Sequence, residues 1–249
     1  MKSSLVFAAA LTLCAAPLSA QSIDGKAYII SLLSPSPSAA IGTYFDATAE
    51  LMAQHQGSYV VDPIYVEKEL PNDYLPDVYS AFPSEYVTIA RFDTPEGLNA
   101  YLTSAKDHFA DWDARLDTEI RFSAGVIPAP NTDQALPVIG DLAPRGGESF
   151  VLLNASSFKP LPEVPQYINQ YGTEIGTVIN AGTQFFASFG KLNDITESYD
   201  FQILFLTEWA SEEAFASVHE NQSWRMVVPF RNFALSGFSE AKGVIGGMQ

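Results

Sequence analysis

The chain has 249 residues, 47% of them hydrophobic and 12% aromatic, with 13 basic against 29 acidic side chains. Seventeen Phe and eleven Tyr are enough for a large core and exclude a disordered chain. The net charge of −16 excludes a sequence-independent grip on nucleic acid, which needs a basic face, and disfavours docking to anionic lipid.

Residues 1–20 (MKSSLVFAAALTLCAAPLSA) have the layout of a secretory signal peptide. Lys2 supplies the positive start, residues 5–16 the short apolar run, and Pro17 breaks it before Ala20. Cleavage after Ala20 and a periplasmic or secreted mature protein are expected. The sole cysteine, Cys14, lies in this segment, and Leu13 in front of it argues against lipidation. The mature chain then has no disulfide, thiolate nucleophile or cysteine-ligated metal. No later stretch is apolar enough to insert in a membrane.

In chain order, residues 26–34 (KAYIISLLS) read as a strand. Residues 39–56 carry Ile41, Tyr44, Phe45, Thr48, Leu51 and Met52 at helical spacing and stop at Gly57. Residues 59–66 are rich in β-branched and aromatic side chains and read as a second strand, and residues 86–92 (YVTIARF) as a third. Thr94-Pro95 opens a helix by cap and first-turn proline. One face of that helix is expected to run from Leu98 through Tyr101, Ala105, Phe109 and Trp112 to Leu116. Residues 119–127 close the half as a strand.

The second half repeats this order. Residues 149–156 read as a strand, 163–181 as a helix with Tyr167, Ile168 and Tyr171 on its apolar face, and 184–192 and 201–209 as strands. Ser211 caps a helix, Ser223 restarts one expected to bend or break at Pro229, and residues 238–245 form the last strand. The closing tripeptides match, Gly125-Val126-Ile127 against Gly243-Val244-Ile245. The expectation is an α+β chain of two tandem ferredoxin-like βαββαβ units, residues 21–127 and 148–249. A Pro- and Gly-rich linker, 128–147, joins them. Such a sheet has helices on one face only, so its other face needs a cover.

This pattern resembles the dimeric α/β-barrel superfamily, above all its domains of unknown function and its antibiotic-biosynthesis-type monooxygenase relatives. The residues that carry the likeness are 205–215 (FLTEWASEEAF), the turn 219–224 (HENQSW) and 228–231 (VPFR), with a looser echo at 89–98 (IARFDTPEGL). The resemblance implies sheets packed face to face into a barrel, either within one chain or in a homodimer. It also admits cofactor-free oxygenases, isomerases and haem-handling enzymes, among which fold alone does not choose.

Three histidines are available, His55, His108 and His219. His55 suits a helix C-terminus. His219 and His108 are the candidate general bases, because imidazole titrates near neutrality. Arg91 and Arg121 lie in strands, where a buried guanidinium needs a carboxylate or a bound anion, and are candidate ligand anchors. Trp224 is a candidate ligand contact because the resemblance brings its turn toward the barrel mouth. Arg231 is expected to bond a helix end or a carboxylate. The histidines lack paired spacing and the acidic cluster Asp111, Asp113, Asp117, Glu119 lacks a calcium-loop pattern, so no metal and no other cofactor is expected. A haem would need an axial histidine that no motif here supplies. Nucleophile elbows and phosphate loops are absent.

Two functions lead, and a haem-binding protein is a third, weaker for want of a clear axial ligand. The first is a binding or accessory protein that encloses a small apolar or aromatic molecule between its sheets. There the strand aromatics Tyr28, Tyr59, Tyr65, Phe185, Phe186, Phe189 and Phe205 line a pocket or pack sheet on sheet. The second is a cofactor-independent monooxygenase or isomerase.

Overall fold

A computed structural model describes residues 22, 24–36, 40–68, 76–113, 115–127, 150–168, 170–171, 183–196 and 199–246. The signal segment and the linker lie outside the described residues. So does most of the helix expected over 163–181, of which 164–168 and 170–171 are helical.

The first half contains β1 (Ala27–Pro35), α1 (Ile41–Ala53), β2 (Gly57–Tyr59), β3 (Ile64–Lys68), β4 (Tyr86–Phe92), α2 (Pro95–Ser104), α3 (Lys106–Asp113) and β5 (Leu116–Ile127). The second contains β6 (Phe150–Phe158), β7 (Thr183–Asp194), β8 (Ile203–Trp209), α4 (Glu212–Glu220), α5 (Gln222–Ala234) and β9 (Leu235–Ile245). The named strands form one antiparallel sheet in the order β1-β5-β7-β8-β6-β9-β3-β4-β2, closed into a ring by β1 on β4. β2 and β3 lie end to end along β4, Tyr59 opposite Ala90 and Ile64 opposite Val87, and together make one interrupted stave. The ring therefore has eight staves, and it closes within one chain without a partner.

The order within the two halves is the same: β5-β1-β4 flanked by β2 and β3, and β9-β6-β8-β7. Two seams join them. β5 pairs with β7, Val126 opposite Phe189, and β3 pairs with β9, Ile64 opposite Ile245. The sheets thus meet edge to edge through hydrogen bonds as well as face to face through side chains.

Alternation sets the layers. Tyr28, Ile30 and Leu32 of β1, Val87 and Ile89 of β4, and Phe122 of β5 point into the ring, where they meet Val151, Leu153, Phe189, Leu204 and Leu206 of the second half. Strands buried on both faces read as unbroken apolar runs, which is why 27–33 has no polar-out pattern. The space between the sheets, where a ligand was expected, is filled by these side chains. Of the aromatics expected to line it, Tyr28 and Phe189 pack edge to face at 5.6 Å inside the ring, Tyr59 and Tyr65 lie on the helix side, and Phe205 faces the other layer. The side chains of Phe185 and Phe186 lie outside the described residues.

The helices cover the outside of the ring. α1 buries Ile41, Tyr44, Phe45, Thr48 and Met52, one helical stripe. Thr94 caps α2 by accepting from Gly97 N at 3.1 Å, and Ser211 caps α4 by accepting from Ala214 N at 3.2 Å, as their sequence positions imply. Two helix expectations are corrected. The stripe from Leu98 to Leu116 belongs to two helices that part at Ala105, and Leu116 already starts β5. Pro229 does not end its helix: α5 continues through it, because a proline there removes one backbone bond while Val228 and Arg231 on either side stay buried. The restart expected at Ser223 is observed, at Gln222: Asn221 lies between the two helices, and its side chain accepts from Ser223 N at 2.8 Å and caps α5. No described helix is long and apolar enough to cross a membrane.

Candidate functional site

A cavity of about 130 Å³ lies in the second half, between the outer face of the sheet and the helices. Leu152, Asn154 and Ser156 of β6, Phe205, Thr207 and Trp209 of β8, and Phe238 and Glu240 of β9 form its floor. Each set is spaced by two residues, so each strand turns one face to it. Phe215, Val218 and His219 of α4, Trp224 and Arg231 of α5, and Ile168 and Tyr171 form its walls. The lining is mainly apolar, with a few polar groups converging on it, the usual make-up of a small-molecule site.

His219 sits in the last turn of α4, its ring edge-on to Phe215 at 4.5 Å and to Trp224 at 5.2 Å between centroids. Burial, and secondarily the Arg231 charge, push its pKa down to about 4, so the imidazole is neutral at pH 7. Arg231 is 6% exposed. Its Nε and Nη2 donate to Asn232 Oδ1 at 3.0 and 2.9 Å, and its guanidinium lies 4.8 Å from the Phe238 ring and 5.4 Å from the Trp224 ring. Burial pushes the Tyr171 phenol up to about 12, with the Glu240 charge adding to it and the charge and hydrogen bond of Arg231 opposing it. On the floor, Asn154 Nδ2 donates to Glu240 Oε2 at 3.3 Å and Ser156 Oγ donates to Asn154 Oδ1 at 2.7 Å. Trp209 Nε1 donates to Thr207 Oγ1 at 2.8 Å, whereas Trp224 Nε1 is buried without an acceptor.

The five candidate residues fall in three places. His219 and Trp224 share the cavity. His108 and Arg121 lie together in the corresponding layer of the first half, which is filled. There Arg121, 1% exposed, forms an ion pair with Glu119 and donates from Nη2 to the Tyr44 hydroxyl at 2.9 Å. Its guanidinium stacks 3.8 Å from the Phe109 ring. His108 Nε2 lies 3.3 Å from Thr48 Oγ1, and its ring stacks on Tyr44 at 5.8 Å. Arg121, expected as a ligand anchor, has its guanidinium engaged by Glu119, the Tyr44 hydroxyl and the Phe109 ring. Arg91 shares a strand face with Val87 and Ile89 and stands opposite Tyr28 and Ser58. That puts it at the ring's end, where its charge acts on the Tyr28 phenol, away from the cavity.

Sequence reasoning missed Tyr171, Glu240 and Asn154 and did not bring Arg231 into the site. Tyr171 sits in an ordinary apolar stripe. Glu240 carried the one available signal, an acid two residues from Phe238 on the same strand face. Among the described residues no group of three His, Cys, Asp or Glu side chains could hold a metal. The site does not fit a haem either. Its volume is on the scale of a single ring rather than a tetrapyrrole, and the His219 ring is packed between two aromatic neighbours.

No protein-family model matches the chain, and no curated protein matches it in sequence. Solved structures do match. An anthrone oxidase-like protein superposes with a TM-score of 0.59 at 8% identity, over 92% of this chain and 97% of that one. A putative monooxygenase from Lactobacillus acidophilus gives 0.51 at 11% identity, over 89% and 94%. Chlorite dismutase from Candidatus Nitrospira defluvii, in complex with imidazole, gives 0.51 at 10% identity, over 92% and 93%. At these identities the likeness is one of fold, and the fold this chain shares with them is a closed antiparallel α/β barrel.

Proposed function

We propose that this is an exported protein, built from two tandem ferredoxin-like units, that binds a small aromatic molecule in the second-half cavity. The observation that carries the reading is the cavity itself, apolar in its walls and of a volume that suits one aromatic ring. The ligand lies between sheet and helices rather than between the sheets.

A second reading builds on the first: removal of an acidic proton from that ligand, the opening step of a cofactor-independent oxygenation. Its support is the neutral imidazole of His219 beside the buried cation Arg231. The imidazole accepts the proton and the guanidinium favours the resulting anion. Magnitudes restrict the substrate. Moving a proton from an acid of pKa 7 to a base of about 4 costs about 4 kcal/mol. An ion pair at contact in a partly buried site returns about 4 kcal/mol. Nitrophenols and vinylogous acids therefore qualify, and simple alcohols do not. For a ring CH₂ so activated, the carbanion reduces O₂ directly. The carbon becomes C=O, and the second oxygen leaves as water with both hydrogens, with no outside reductant.

The test is spectroscopic. 4-Nitrophenol added below its own pKa should develop the phenolate absorbance on binding, and His219→Gln should bind it without that change. Failure to bind refutes the cavity reading. A bound ligand that stays neutral refutes the proton transfer alone.

A further inference from the structure

We propose that the indole N–H of Trp224 is the anchor for an oxygen atom of the ligand. The cavity then selects one-ring aromatics that bear an oxygen acceptor, phenols above all, over hydrocarbon rings of the same size. This rests on the cavity as the binding site, but not on any proton transfer within it.

Two tryptophans line the cavity, and they differ in one respect. Trp209 Nε1 has its acceptor in Thr207 Oγ1 at 2.8 Å. Trp224, 5% exposed on the opposite wall, has none for its Nε1. A buried donor left without an acceptor is rare and costly, and a buried indole normally finds one. Its ring neighbours His219 and Tyr171, at 5.2 and 5.9 Å between centroids, do not bond it, and no other described residue does. Arg231, whose guanidinium lies 5.4 Å from the Trp224 ring, carries donors only. Phe215 and Val218 have no polar atom. A ligand oxygen in the cavity completes the bond, and the nearby guanidinium favours an oxygen that carries negative charge. A hydrocarbon ring fills the same space and leaves the donor unmade.

The chain has three tryptophans, so the ¹⁵N-labelled protein shows three indole N–H signals, those of Trp112, Trp209 and Trp224. Trp224→Phe assigns the third by its loss. Phenol and toluene, nearly equal in size, are titrated in turn. Phenol should bind about tenfold or more tightly than toluene, the discrimination expected for an otherwise unpaired buried donor. It should also move the Trp224 signal downfield while toluene leaves it in place. Trp224→Phe should abolish the preference and keep toluene binding. Equal affinities, a Trp224 signal unmoved by phenol, or a preference that survives in Trp224→Phe would each overturn the proposal. The wild-type titration decides the matter even where the variant does not fold. 4-Nitrophenol that moves the signal but is never deprotonated overturns the oxygenation reading and leaves this one standing. Binding of neither molecule overturns both.

Discussion

Replacing His219 by glutamine should remove a defined part of the chain's acid sensitivity. In the folded protein, burial and then Arg231 hold the imidazole at about 4, against its ordinary 6.5. Between those two values the unfolded chain binds one more proton than the folded one. Stability from this group is therefore fully present above pH 6.5 and is lost as the pH falls toward 4. At about 1.36 kcal/mol per pH unit the interval amounts to about 3 kcal/mol. His219 is only partly buried, and solvent screening brings the expectation to about 2 kcal/mol. Urea unfolding of wild type and His219→Gln at pH 7 and pH 4 measures it. Both proteins keep His55, His108 and every carboxylate, so the difference between their losses isolates this one imidazole. Wild type should lose about 2 kcal/mol more than the variant. Equal losses would refute the argument that His219 is buried neutral beside a cation.

Other perturbations test the packing. Arg121→Met leaves Glu119 without its ion-pair partner in the filled layer and should cost about 3–5 kcal/mol in urea unfolding. Adding Glu119→Leu should recover most of that, since an apolar pair replaces the ionic one; no recovery would mean that the Tyr44 and Phe109 contacts carry the cost. Gly243→Ala puts a Cβ 2.5 Å from Ile64 Cγ2 and 3.2 Å from Val151 Cγ2. It should lower stability by about 1–3 kcal/mol, an overpacking cost read from the urea midpoint. An unchanged midpoint would mean that the β3–β9 seam is loosely packed.

The element order was legible because its signals are local. Caps at Thr94 and Ser211, the α1 stripe and the apolar run of β1 each report their own backbone. Which face a strand turns to which layer was less so. The matching tripeptides show why. Gly125 faces outward, where an added Cβ would meet Ser22, while Gly243 faces into the ring against Ile64. Similar letters therefore stand one residue out of phase. The residue that occupies the place of Arg121, opposite β1 at Ser31, is Glu240, opposite β6 at Asn154. The site was half legible. His219 and Trp224 belong to one turn and could be read together, but Tyr171, Arg231 and Glu240 come from separate elements that only the closed sheet gathers. That one layer is filled and the other hollow depends on side-chain volumes across three elements, which no periodicity encodes.

The second seam sets a condition on how the molecule forms. β9 is the last strand, and it alone bridges β6 to β3. A chain that emerges N-terminus first can build β1, β4 and β5 early, but Ile64 waits for Ile245. Until then two raw strand edges, at β3 and β6, stand open to neighbouring chains. Loss of a few C-terminal residues would therefore do more than shorten a strand. It would hold the chain at that unclosed stage, with the floor of the cavity missing Phe238 and Glu240 whenever β9 failed to dock.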